Sequence, residues 1–404
     1  MWNELAAMRL SKLITMLILS AEGLLVKAAI FETNVFVSTI AGSGFNGHVD
    51  GVGADTMFSF PSYVAEATDG VYVYDMGNRR IRTVSDDGVV QTLFSEQRKL
   101  GPNGVEMSIP IVEMAGKLFF GELNKLFHAS QKDFTLVAQF PEKVTISALG
   151  TDGTTIFAAD VQGNRIYSVA NGVVSVLAGS GNATSIDGKG IFSSFRRPEG
   201  ISVMAQHVFT SEPGKIRRIS LNPPNVVTTF VGGDSFGYID GDSPSLGISI
   251  SSVATAANGS VAFIDNDKIR RAYSDGRVTT LAGSEQTGFS DGEGSKARFR
   301  NPRSLVLHKE AIWVADTQNN RIRKVEAANS HPELIPLDIG LFPGVTISGV
   351  VGRSYRIEAT PSLEETNVWA PVATFTLPKT RYTWVDESSS SSSAKRFYRA
   401  VLLP

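Results

Sequence analysis

The chain of 404 residues contains no cysteine. Disulfide staples, thiolate metal sites, cysteine nucleophiles and lipidation of a mature N-terminal cysteine are therefore excluded. A core of this size holds without disulfides, so their absence does not argue against export. Histidine is sparse: His48, His128, His207, His308 and His331 are the full set, and none forms an HxH or HxxxH pair. Tetrahedral zinc needs three or four converging ligands, and this scatter supplies no such group. No P-loop and no HExxH is present. A surplus of positive charge is missing too. Lys and Arg total 38 against 40 Asp and Glu, giving a formal net charge of -2, so no nucleic-acid partner is expected.

An uninterrupted membrane span is also lacking. Arg9 and Lys12 precede the apolar run from Leu13 to Ala21, but Glu22 and Lys27 interrupt the next stretch before the small pair Ala28 and Ala29. This is the pattern of a removed signal peptide over residues 1–29, and it predicts a secreted or cell-envelope protein without a stable membrane span. The alternative is an apolar N-terminal helix packed on the domain.

Repetition, by contrast, is abundant. Apolar segments ending in a small turn begin at Val35, Val89, Phe134, Val173, Val226 and Arg277, an average spacing of about 48 residues. Between them the order is constant: a Gly- and Asp-rich loop, a strand after a proline, a turn, a second strand, a tight turn and a third strand. Four strands per unit with β-branched and aromatic residues predict an all-β fold of propeller type. The segment at Val35 has no unit before it, and the last unit ends near Val325 without a fourth strand of its own. The N-terminal strand is therefore expected to complete the last blade of a six-bladed β-propeller, which removes exposed sheet edges.

The propeller is assigned to residues 35–327. A linker with two prolines (328–336) and a small β-sandwich-like domain (337–404) come after it. The serine run Ser388 to Ser393 reads as a solvated loop of that domain.

Two motifs recur within the units. In the loop entering four of them, Asp50, Asp187, Asp240 and Asp291 each stand nine positions after Ala41, Ala178, Val231 or Ala282, and each is followed by glycine. Phe58, Phe195 and Phe299 come eight residues after three of them, and Pro61, Pro198 and Pro302 three residues later. Carboxylates in flexible loops are Ca²⁺ donors, and these four are the candidates. Fourfold repetition favours the structural alternative, an Asx-type turn whose glycine takes a positive φ.

The second motif flanks each tight turn. Six acids, Asp75, Glu122, Asp160, Glu212, Asp265 and Asp316, end the second strand, and six bases, Arg80, Lys125, Arg165, Lys215, Lys268 and Arg321, begin the third. Their separation is five or three residues, so strand faces stay in register. Six similar pairs read as a repeated cross-strand brace worth about 0.2 to 1 kcal/mol each rather than as a catalytic dyad. Phe45, Phe236, Tyr238 and Phe289 lie in the inter-blade loops, and His48 stands beside Asp50. Aromatics among polar loops suit peptide or sugar contacts, or pack each loop on its neighbour.

The units VSTIAGSG through VYVYDMGNRRIR and VTTLAGSEQTGFSDGEGSKARFRNP through IWVADTQNNRIRKV resemble NHL repeats, over Val35 to Glu326. The tail, from ISGVVGRSYRIEAT to RFYRAVLLP, resembles a short C-terminal β module of secreted proteins from Verrucomicrobia-like bacteria. The NHL resemblance implies a propeller that binds protein or RNA, or, more distantly, a peptide-amidating lyase or a Ca²⁺-dependent lactonase. The lyases hold their metal with histidines, for which this chain has no matching set, and the RNA binders present a basic face. The expectation is a monomeric, exported, non-catalytic propeller that binds a protein, peptide or glycan on its inter-blade loop face. No cofactor is required, with Ca²⁺ the cation its loops would take. The alternative is a metal-dependent hydrolase or lyase with its ion in the central tunnel.

Overall fold

A computed structural model describes residues 34–93, 108–130, 133–242, 244–328, 337–339, 344–361, 368–378, 381–385 and 397–403. The proposed signal peptide (1–29), most of the linker and the serine run lie outside the described residues. The chain divides into two compact units, Met1–Ala328 and Asn329–Pro404.

The first unit is a β-propeller. Its described strands form six antiparallel sheets. In chain order their innermost strands are Pro61–Ala67, Ile111–Met114, Ile146–Thr151, Ile201–Met204, Ser252–Thr255 and Ser304–His308. Each of these touches the next, and the sixth touches the first, so they close a ring around a central tunnel. The strand from Val35 completes the sixth sheet, pairing Val35 with Ala327 and Val37 with Val325, and the Ala328 N-H donates to the Asn34 carbonyl at 2.8 Å. Val37, Ile322 and Val325 are fully buried at this join.

Apolar side chains between neighbouring sheets supply most of the core, and serine hydroxyls near the tunnel tie the innermost strands together. Ser62 Oγ lies 3.1 Å from Ser108 Oγ, Ser147 donates to the Pro198 carbonyl at 3.0 Å, and Ser202 lies 2.8 Å from Thr255 Oγ1. The Ser252 hydroxyl accepts from Leu305 N at 3.1 Å, and that of Ser304 accepts from Val64 N at 3.1 Å. The Pro198 carbonyl and the Leu305 and Val64 amides are thus satisfied from the adjacent sheet.

The inter-blade loops cap sheet edges. Gly51–Val52, Gly188–Lys189 and Gly292–Glu293 each add a fifth strand to the outer edge of a sheet, and Gly241 bridges to Val278 in the fifth sheet. Edge strands are the usual hazard of β proteins, and these loops cover four of them.

The second unit holds two three-stranded sheets. One contains Leu337–Ile339, Gly344–Ser348 and Arg381–Val385; the other contains Ala370–Thr376, Ser354–Thr360 and Phe397–Leu402. Val345, Ile347, Tyr355, Ile357 and Leu377 form its core.

Candidate functional site

The loops on the tunnel's entry side are held by buried charge. Arg82, fully buried, donates to Asp50 at 2.7 Å and to Asp75 at 3.1 Å. The pattern repeats three times: Arg217 joins Asp187 and Glu212, Arg270 joins Asp240 and Asp265, and Arg323 joins Asp291 and Asp316, all between 2.6 and 2.8 Å. Further guanidinium hydrogens go to loop carbonyls such as Val49, Ile239 and Ser290, while the Nε of Arg217 and of Arg270 is buried without a partner. A buried arginine needs several acceptors, because its desolvation is not repaid by one ion pair.

The loop aspartate also reaches the outermost strand. Asp50 accepts from Thr92 N at 2.8 Å, and Asp187, Asp240 and Asp291 accept in the same way from Thr229, Thr280 and Thr39. Burial acts to raise the Asp50 and Asp187 carboxyls, but hydrogen bonds from the threonine amides and the arginines outweigh it and hold both below the ordinary value. On the hairpin side burial prevails. It pushes Asp75 up to about 6 against hydrogen bonds from Asn78, Ser59 and Arg82, and it raises Asp265 and Asp316 as well.

These contacts correct one expectation. The brace does not join each acid to the base directly opposite. Asp75 faces Arg80 in Cα register, yet its ion pair is with Arg82, the diagonal neighbour on the same strand face. The arginine side chain is long enough to cover that diagonal, and only there is the pair sealed from water. The first bases serve the loops instead: Lys215 pairs with Asp234 at 2.7 Å, Lys268 with Glu285, and Arg165 and Arg321 donate to the carbonyls of Ser180 and Ser43. In the second and third sheets the diagonal residue is Phe127 or Tyr167. There Asp160 accepts turn amides of Gly163 and Gln162, and Glu122 and Lys125 stand opposite each other in the backbone pairing. The Ca²⁺ candidates Asp50, Asp187, Asp240 and Asp291 each accept from an arginine and a threonine, and no cluster of three acids or histidines that could hold a metal occurs among the described residues.

The ligand-binding candidates lie on three loops, entering the fifth, sixth and first sheets, which are consecutive round the ring. Phe45 is 72% exposed. Phe289 is covered by the Arg321 guanidinium at 3.7 Å, and Tyr238 faces Lys268 Nζ at 5.8 Å. Phe236 is half exposed. His48 Nε2 lies 3.0 Å from Thr92 Oγ1, beside the Asp50 contact, so its role is in the loop anchor.

At the tunnel mouth is a cavity of about 390 Å³. All six sheets contribute to it: Ser62 and Tyr63, Ser108, Thr145 to Ser147, Glu199, Ser249 and Ser251, and Asn301 to Arg303, with Val161 and Asn266 from hairpin turns. The Phe-x-x-Pro segments place these residues. After the phenylalanine, the first amide donates to the hairpin acid of its own sheet, as Ser59 to Asp75, Arg196 to Glu212 and Arg300 to Asp316 at 2.7 to 2.9 Å. The second takes a left-handed φ (Phe60 51°, Arg197 51°, Asn301 49°) and donates to the preceding turn, at Asn320, Asn164 and Asp267. In these three sheets each segment is thus anchored at both residues. Tyr63 Oη, in the cavity lining, lies 3.4 Å from both the Leu149 carbonyl and its amide, linking the first sheet to the third.

Arg82, Arg217, Arg270, Arg323 and the cavity serines are not singled out by the sequence motifs. A signal for the arginines exists: Ile-Arg follows the base in the four units that carry the loop aspartate, whereas the other two have Leu-Phe and Ile-Tyr. Gly288 to Gly292 also spells G-x-S-x-G. Its Ser290 lies in a loop, with the hydroxyl directed to the Asp291 carbonyl, not on the strand-to-helix turn that exposes a nucleophile.

No known family profile matches the chain. A curated relative, the chloroplastic protein SUPPRESSOR OF QUENCHING 1 of Arabidopsis thaliana, is 29% identical over 178 residues, covering 40% of this chain and 17% of that protein. The chain thus spans about a sixth of the length of that relative. Among solved structures, a protein of unknown function from Bacteroides thetaiotaomicron superposes with a TM-score of 0.57 at 17% identity, over 73% of this chain and 76% of that one. An auxiliary nutrient binding protein from the same organism gives 0.56 at 15% identity, over 73% and 76%. At such identities the likeness concerns fold alone: the chain is a β-propeller protein.

Proposed function

We propose that this protein is an exported, non-catalytic binding propeller of NHL-repeat type, recognising its ligand on the inter-blade loop face with the tunnel-mouth cavity as the principal subsite. The observation that carries this reading is the cavity itself. It is rich in hydroxyl and amide groups, lined from every sheet, and flanked in three sheets by segments anchored at two consecutive amides. Its volume lies in the roughly 300–1,000 Å³ range of small-ligand sites. None of the four described histidines lines it, and its hydroxyls and amides are the groups of recognition rather than of acyl transfer. The likeness in fold to a nutrient-binding protein is in keeping with this role.

The experiment is a binding screen of folded protein against glycan and peptide arrays, followed by Ser249→Trp, which places an indole in the mouth from an exposed position. Loss of the wild-type ligand in Ser249→Trp, with unfolding unchanged, is expected. Retained binding in Ser249→Trp, together with its loss when Phe45, Phe236, Tyr238 and Phe289 are all replaced by Ala, would move the site to the outer loops.

A further inference from the structure

Resting on that binding role, we infer that the ligand is acidic: a short saccharide of the uronic-acid class, with a carboxylate held by Arg303. The two segments that flank the fifth sheet differ in charge from their counterpart in the first. Where the first sheet has Ser59 and Phe60 between phenylalanine and proline, the fourth has Arg196 and Arg197, and the sixth has Arg300 and Asn301, with Arg303 just past its proline. All four arginines are exposed at the mouth of the tunnel or on the segments leading into it.

Their partners leave charge to spare. Arg197 holds Glu199 at 3.5 Å, and the nearby Asp234 is engaged by Lys215 at 2.7 Å. Arg303 lines the cavity, and its guanidinium meets the Met76 Sδ at 3.7 Å, with no ion pair among the described residues. Arg303 shares the Glu199 carboxylate with Arg197 through charge attraction but has no direct ion pair with it among the described residues, so its planar guanidinium can still hold a ligand carboxylate with two parallel hydrogen bonds. Between Glu199 and Arg303, on the fifth sheet, stands Ser251, whose Oγ is buried without a hydrogen-bond partner. An orphaned hydroxyl in a binding cavity costs stability that a ligand hydroxyl recovers.

The remaining lining favours a sugar over an acidic peptide. Ser249, Ser251 and Asn266 both donate and accept, matching ring hydroxyls, and Glu199, the one acid in the lining, can accept from them.

The test is calorimetric titration of the full chain with trigalacturonate, with neutral maltotriose and with triglutamate. Trigalacturonate should bind more tightly than maltotriose, weaken as salt rises to about 0.5 M, and lose roughly tenfold or more in Arg303→Gln, as loss of a charged hydrogen bond implies. Arg197→Gln and Ser251→Ala should each weaken it less, with the unfolding midpoint unchanged in Arg197→Gln and no lower in Ser251→Ala. Equal affinity for maltotriose, indifference to Arg303→Gln, or tighter binding of triglutamate would overturn the acidic-saccharide assignment. In those cases the wider binding role survives if Ser249→Trp still abolishes the binding observed. If Ser249→Trp leaves binding of every probe intact, both fail.

Discussion

Arg323 Nη1 lies 2.7 Å from Asp316 Oδ2, and both side chains are sealed from solvent, although Asp316 stands opposite Arg321 in the hairpin register. The same guanidinium holds Asp291, which in turn accepts from Thr39 of the N-terminal strand. One arginine therefore links the hairpin of the last sheet, the loop entering it and the strand that closes the ring.

Removing that arginine should be far more costly than removing Arg321. Arg323→Met leaves Asp316 buried without its cation, an effect on the order of 3–5 kcal/mol. Arg321→Met, which loses half-exposed contacts with Ser43 and Phe289, should cost about 1 kcal/mol. Urea unfolding of the two variants checks the ranking, and equal losses would contradict the diagonal brace. Asp316→Asn combined with Arg323→Met should recover part of the loss.

Ring closure makes a second prediction. Val37 is fully buried and pairs with Val325, so Val37→Asp puts an unpaired carboxylate between the strands that join the two ends of the propeller. Thermal unfolding should shift down by several degrees or more, as a loss of a few kcal/mol implies. The equivalent substitution at Val176, about 40% exposed on the outermost strand of the third sheet, should have little effect. A mild Val37→Asp phenotype would mean that the N-terminal strand is not needed to close the sixth sheet.

The two ends of a triad respond to pH with opposite sign. Burial raises Asp75 from 3.8 to about 6, so the folded state binds its proton more readily than the unfolded chain does, and this group's contribution to stability falls as pH rises from about 4 to 6. Asp50 and Asp187 are held below the ordinary value, so their contribution is present above about 4 and is lost as pH falls below it. Asp75→Asn should flatten the decline between pH 4 and 6 in a midpoint-against-pH series, whereas Asp50→Asn should remove part of the acid-side loss. An unchanged slope in Asp75→Asn would show that its carboxyl stays ionised across that range.

Much of the architecture is legible in the sequence because it depends on local pattern. Strand periodicity, the proline at or just before four of the six innermost strands and the missing fourth strand of the last unit lead to the sheets and to the pairing of Val35 with Ala327. The acids Asp75, Glu212, Asp265 and Asp316 are visible as brace elements for the same reason. Their true partners are not, because register alone points to Arg80 or Arg321, and only side-chain length and burial select Arg82 and Arg323. The cavity is less legible still. Ser251, Glu199 and Arg303 lie some fifty residues apart in units whose order round the ring brings them together, and each resembles an ordinary turn residue along the chain.

The most direct measurement is hydrogen–deuterium exchange of the full chain with and without a ligand found in the array screen. Binding at the mouth predicts slowed exchange in the segments around 145–147, 198–201, 249–252 and 301–304, which line or lead into the cavity. Protection confined to the opposite ends of the innermost strands, around 67–70 and 308–311, or to the second unit, would contradict it.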